Sequence, residues 1–137
     1  MHAAPTVVAT SGLAAETGFL PVEPATPATS AEGIFAVGNA STIAIAAGKF
    51  VPKADVFAEA EAKVVAANVG TELAGRAPHT TFDGSGVCFV EVGDRRAAFT
   101  TGELYAATGP QVHLRRPGPC WHLAKAAFEP YWMQRWP

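Results

Sequence analysis

Two cysteines, Cys88 and Cys120, supply the thiols of this chain. Cys88 lies in the alternating run Val87-Cys88-Phe89-Val90. An ionised thiol there could act as a nucleophile or carry electrons. Free cysteine is also among the most buried residue types, so a core role competes with the reactive one. Cys120 has no patterned surroundings and reads as structural. Asn39 follows Gly38 at the end of an apolar run and has the plain role of a turn or helix-cap residue. Lys53 stands just before a helical pattern, and Lys125 sits between alanines in a second one, where lysine is ordinarily a solvated surface residue. His2, His79, His113 and His122 lack ligand spacing, so no metal site is expected. Glu59 and Glu61, two residues apart on a helix, point in different directions and cannot share a site.

The elements that must position these groups follow from periodicity and punctuation. Thr6-Val7-Val8-Ala9 reads as a strand stopped by Ser11-Gly12. Phe19-Leu20 and Val22 read as another, held to an edge by Pro21 and Pro24. Residues 23–33 form a Pro/Thr/Ala loop without hydrophobic period. Ile34-Phe35-Ala36-Val37 is a short continuous apolar run between turn signals, the mark of a strand covered on both faces. A helix is predicted from about Ala54 to Leu73, with Phe57, Ala60, Val64 and Ala67 on one apolar face and Val65, Val69 and Leu73 on a second. Glu59, Glu61, Lys63 and Glu72 fall in the seams, and Glu59 to Lys63 is a favourable i,i+4 pair. Two apolar faces imply packing on both sides, and Gly75 is the expected stop.

The second half switches to strands at Val87–Val92 and Ala97–Thr101, joined by a hairpin at Gly93-Asp94, with a further strand over Leu104–Ala106. A last helix is expected from Trp121 to Trp136, carrying Trp121, Phe128, Tyr131 and Trp132 as an aromatic stripe packed on the small sheet, and kinked by Pro130. The expected fold class is α/β, or α+β for this stretch taken alone: the end of a parallel sheet with one helix, then a small antiparallel sheet and a C-terminal helix. The expected division is residues 1–76 and residues 77–137.

The 137 residues carry 49% hydrophobic and 16% charged side chains, too apolar a balance for intrinsic disorder. A net charge of −2 gives no electrostatic footprint for nucleic acid. No apolar run approaches the ~20 residues of a membrane span. Two cysteines are too few for a disulfide framework. The sequence has the character of a cytoplasmic protein.

Gly33-Ile34-Phe35-Ala36-Val37-Gly38-Asn39-Ala40 resembles the second flavin-contacting motif of two-dinucleotide-binding flavoproteins, in which an apolar strand ends in Gly-Asp. Three further segments narrow the resemblance. They are Val51-Pro52-Lys53-Ala54 with Phe57-Ala58-Glu59-Ala60, then Gly86 to Asp94, then Trp121-His122-Leu123-Ala124-Lys125 with Phe128-Glu129-Pro130-Tyr131-Trp132. In this order they resemble the C-terminal part of the sulfide:quinone oxidoreductase and flavocytochrome c sulfide dehydrogenase group.

That resemblance implies an FAD-dependent oxidoreductase, with residues 1–76 as the end of its FAD-binding domain. Gly38 and Asn39 match the pair that contacts the ribityl chain, with Asn in place of the usual Asp and its amide oxygen still able to accept a hydrogen bond. Lys53 and the helix behind it match the segment facing the pyrimidine side of the flavin, where a helix start favours negative charge. Cys88 matches the C-terminal redox cysteine of the sulfide-oxidising members. Lys125 matches a lysine of the last helix near the flavin and quinone end, and Pro130 replaces a residue that is usually Lys. The implied partners are a quinone or cytochrome acceptor, a second chain or homo-oligomer, and the membrane periphery through the last helix.

No G-x-G-x-x-G fingerprint occurs, and neither does the upstream cysteine needed for disulfide chemistry, so the chain resembles about the last third of such an enzyme. Two other readings stand beside it. One is a non-catalytic remnant or split-protein subunit acting through an exposed half-sheet. The other is an NAD(P)H dehydrogenase of the same architecture, whose activity would survive Cys88→Ser.

Overall fold

The computed structural model describes residues 4–135. The chain is mixed α/β, with helices α1 (Thr6–Ala9), α2 (Asp55–Leu73) and α3 (Pro119–Arg135). Four two-residue strands occupy the first half: β1 (Leu20–Pro21), β2 (Ser41–Thr42), β3 (Ala44–Ile45) and β4 (Lys49–Phe50). Three longer ones form the second: β5 (Ser85–Gly93), β6 (Arg96–Glu103) and β7 (Gln111–Leu114).

The first third departs from the sequence expectation. Thr6–Ala9 is one helical turn rather than a strand, because the Pro5 carbonyl accepts the Val8 and Ala9 amides and outweighs the β-branched composition. Ile34–Val37 is not a sheet strand. It folds back on its own proline loop through one antiparallel bridge, Ala28 to Phe35, with the Ala36 amide bonded to Pro27 and the Ile34 carbonyl accepting the Thr29 amide. Parallel pairing is limited to β1 with β2, Leu20 opposite Ser41 and Pro21 opposite Thr42. β3 and β4 make a small hairpin that the sequence did not signal.

α2 matches its expected span. It ends at Gly75 in a Schellman pattern, the amides of Gly75 and Arg76 bonding to the carbonyls of Glu72 and Thr71. Glu59 and Lys63 form the expected ion pair at 2.6 Å. Its buried stripe, however, is Phe57, Glu61, Val64, Asn68 and Thr71. The second apolar face is covered only in part: Val65 and Val69 are half-buried and Leu73 is 85% exposed, and Ala67 of the first face is exposed too. Asn68 stays on the inner face because its side chain closes both bonds of a backbone pair, Nδ2 to the Thr80 carbonyl and Oδ1 from the Thr80 amide.

β5, β6 and β7 form one antiparallel sheet in that order, Phe89 opposite Phe99 and Thr101 opposite His113. The β5–β6 turn is Asp94-Arg95, one residue beyond the expected Gly93-Asp94, with φ of 50° and 55°, the two left-handed centres of a type I′ turn. The third strand is Gln111–Leu114 and not Leu104–Ala106. Leu104 instead enters the core and Tyr105 donates its hydroxyl to the Pro24 carbonyl at 3.0 Å. The core is Ile43, Val51, Phe57, Val64, Phe82 and Leu104, so it draws on both sides of residue 76. Phe82 meets Phe57 and Tyr105 edge to face.

α3 sets Trp121 and Phe128 of its aromatic stripe on the sheet, while Tyr131 and Trp132 meet Phe128 and Tyr131 is 59% exposed. Trp121 stacks on Phe99 at 5.0 Å, and Phe128 reaches Phe89 at 6.5 Å. The helix starts on Pro119, where a missing amide costs nothing, and continues through Pro130. Trp136 lies outside the described residues, as does His2. Among the described residues no helix is long and apolar enough to cross a membrane.

Candidate functional site

Side chains alternate across the three-stranded sheet, and this alternation sorts the candidate residues. Phe89 and Glu91 lie on the face that α3 covers. Gly86, Cys88 and Val90 lie on the other. α2 reaches that second face at one point, where Phe57 lies directly against Gly86. A Cβ on residue 86 would stand 2.4 Å from the Phe57 ring, so glycine is what lets helix and strand approach. Cys88 is one pleat further along, about 7 Å, and is exposed. The buried-core reading of Cys88 is therefore overturned. Its thiol lies 3.5 Å from the Phe89 carbonyl. Cys120, expected to be structural, is also exposed.

At the head of α2 the chain builds a buried polar lock. The 3-10 turn Gly38–Ala40 runs against the helix, with Gly38 at φ +62° and its Cα facing Ala58 so closely that a Cβ would stand 2.9 Å from the alanine methyl. The Gly38 amide donates to Glu61 Oε2 at 2.8 Å. The Lys53 ammonium donates to the Ser41 carbonyl and, at 3.4 Å, to that of Gly38. Ser41 Oγ donates to the Gly38 carbonyl at 3.0 Å. Lys53 also lies over the Phe19 ring at 4.5 Å from its centroid.

Glu61 is 2% exposed, and this burial pushes its carboxyl above the usual carboxylate range, against the opposing pull of the Gly38 amide, Lys53 and Ser41. Burial likewise lowers Lys53, and the charge of Glu61 resists that shift. The remaining gap among Gly38, Ser41, Lys53, Phe57 and Glu61 is about 10 Å³, the room of about one water. Ligand pockets run to ~300–1,000 Å³, so this gap is an interior of the lock and not a seat for a ring system.

The structure thus joins Gly38 and Lys53 directly. Asn39, next in the same turn, is exposed. Lys125 is separated from Cys88: its ammonium pairs with Glu91 Oε1 at 3.4 Å on the α3 side of the sheet, opposite the Cys88 face. His122 Nδ1 shares the same carboxylate at 3.1 Å. Sequence reasoning placed Glu61 in a seam between two apolar faces and gave Ser41 and Phe19 no part in the site. The signal for Glu61 was present in its spacing, four after Phe57 and three before Val64.

No protein-family model and no curated protein matches this chain.

Proposed function

We propose that this chain is the C-terminal portion of an FAD-dependent oxidoreductase of the sulfide-oxidising kind, working with a quinone or cytochrome acceptor. The observation that carries the reading is the arrangement at the head of α2. The Glu61–Gly38–Lys53 lock fixes the turn so that Asn39 faces outward beside the first helical turn, and Cys88 follows Gly86 on the sheet face that the same helix begins to cover.

A flavin on the outer side of this turn would meet the residues with two changes of role. Glu61 already takes the Gly38 amide, and Lys53 is turned onto backbone carbonyls. Both are positioning groups. The cofactor-facing groups are Asn39, through its side-chain amide, and the leading amides of α2 at Asp55 and Val56, which have no carbonyl four residues back to bond to. A helix start of this kind favours negative charge. Bound FAD would supply a two-electron acceptor. Cys88 contributes an exposed thiol whose ionised form is a nucleophile for sulfur. Turnover by disulfide exchange needs a second thiol, and the other cysteine, Cys120, stands at the start of α3, the helix that covers the opposite face of the sheet.

The test is titration of FAD with the purified chain, followed by flavin fluorescence. Saturable quenching that weakens about tenfold in Asn39→Ala, the loss of one good hydrogen bond, is expected. Fluorescence that the chain leaves unchanged would overturn the reading. The split-subunit reading is favoured by a different observation. The open sheet face carries Val90, Val112 and Leu114 at 44%, 65% and 63% exposure, an apolar surface suited to a protein partner.

A further inference from the structure

The outer edge of β5 is a nine-residue strand border with no strand beside it among the described residues. Its hydrogen-bonding pattern can be read from its neighbour. On β6 the Phe99 carbonyl accepts the Arg115 amide, and Ala97 exchanges bonds with Gly118, so both residues turn their polar groups away from β5. Their cross-strand partners Phe89 and Glu91 must then turn theirs outward, and so must Val87. The Thr100 hydroxyl on the Cys88 carbonyl confirms that the even residues face inward.

The outward amides and carbonyls of Val87, Phe89 and Glu91 are symmetric about Phe89, whose carbonyl takes the weak Cys88 thiol donor at 3.5 Å on one lone pair and keeps the other. Ser85, the next in the series, has its amide taken by Asp83 Oδ1, and the register shifts between Glu91 and Gly93, so the free stretch is bounded on both sides. It contains neither Lys nor Pro, the usual guards of an edge. The opposite edge, β7, is four residues long and bracketed by Pro110 and Arg115-Arg116-Pro117. The single charge on the β5 edge, Glu91, is already matched by His122 and Lys125.

We infer that β5 pairs antiparallel with β5 of a second copy of this chain, on a two-fold axis at Phe89. Phe89 then exchanges both backbone bonds with its own symmetry mate, and Val87 does so with Glu91 of the partner subunit. Every free group on the edge is used, and no like charges meet. An arbitrary partner strand would not reproduce this palindrome. Pairing at an edge leaves both faces open, so Cys88 stays exposed.

The experiment is sedimentation equilibrium of the full chain, with Val87→Pro, Val87→Glu and Val112→Lys beside it. The wild type should sediment at twice the 14.2 kDa chain mass. The Val87 amide has no partner inside the chain, so Val87→Pro should keep the near-ultraviolet circular dichroism of the fold. Its two lost bonds should weaken association about thirtyfold. Val87→Glu, which sets two like charges opposite each other at Glu91 of the partner subunit, should also dissociate the pair, and Val112→Lys, on the far edge, should not. A strictly monomeric wild type overturns the inference. A dimer broken by Val112→Lys and indifferent to both Val87 variants overturns it equally.

Discussion

Glu61 offers the sharpest test of how the head of α2 is held. Glu61→Ala removes the acceptor of the Gly38 amide and the charge that compensates Lys53. A charge-assisted hydrogen bond contributes about 1.5–3 kcal/mol, and an orphaned buried amide adds to the loss. At 2% exposure no water replaces the carboxylate freely, so about 3 kcal/mol is expected. For a chain this long that is a fall of about 10 °C in Tm. Glu61→Gln keeps an acceptor oxygen of the same reach and should lose about 1 kcal/mol or less at pH 7.

The two forms should also differ in pH dependence. Burial raises the folded-state pKa of Glu61, so from about pH 4.5 upward the native chain keeps a proton that the unfolded chain releases. Stability falls with rising pH wherever the native state binds more protons, and levels off above the raised pKa. Glu61→Gln lacks this component, so its stability relative to wild type should improve as pH rises through that window. Urea melts at several pH values read both effects. Glu61→Ala within about 0.5 kcal/mol of wild type, the usual size of a surface effect, or Glu61→Gln losing ground as pH rises, would refute the reasoning.

Two further outcomes follow from close contacts and turn geometry. Gly86→Ala sets a methyl 2.4 Å from the Phe57 ring and should cost about 1–3 kcal/mol by overpacking, seen as a lower urea midpoint; Cys88→Ser, one pleat away and exposed, should leave that midpoint unchanged. Arg95→Gly relieves a left-handed arginine at φ 55° in the type I′ turn and should raise stability by about 1 kcal/mol, measured by the same melts.

What was legible in the sequence had redundant local signals. α2 combines a long period, an i,i+4 ion pair and a terminal glycine, and its span came out as read. The β5–β6 hairpin carried alternating apolar residues around a turn dipeptide. The aromatic residues of α3 could only be satisfied against a nearby apolar sheet. Elsewhere composition misled because partners decide the outcome. Thr6-Val7-Val8 has strand propensity, but no strand lies beside it and Pro5 starts a helical turn instead. Ile34–Val37 looks like a buried strand and is held by its own loop, leaving Ile34 43% exposed. Leu104 and Tyr105 are apolar because they fill the core, whereas β7 hides between proline and arginine residues.

The candidate site was legible by residue and not by role. Gly38, Asn39, Lys53 and Cys88 were singled out from motif and spacing, and the first three do meet at one turn. Their division of labour depends on Glu61, which a charge-pattern reading places in a seam between two apolar faces. A buried carboxylate is uncommon enough that only the stripe Phe57–Glu61–Val64–Asn68 reveals it. Lys125 was matched by position along α3, but the alternation of β5 separates it from Cys88 by the thickness of the sheet.

The central claim is that Asn39, the head of α2 and the Cys88 face are the flavin side of an oxidoreductase. The visible absorbance spectrum of the purified protein, with flavin quantified per chain, tests it most directly. Flavin bands with FAD near one per chain, reduced in Asn39→Ala, are the result this account predicts. A colourless protein that stays colourless after incubation with FAD would contradict it.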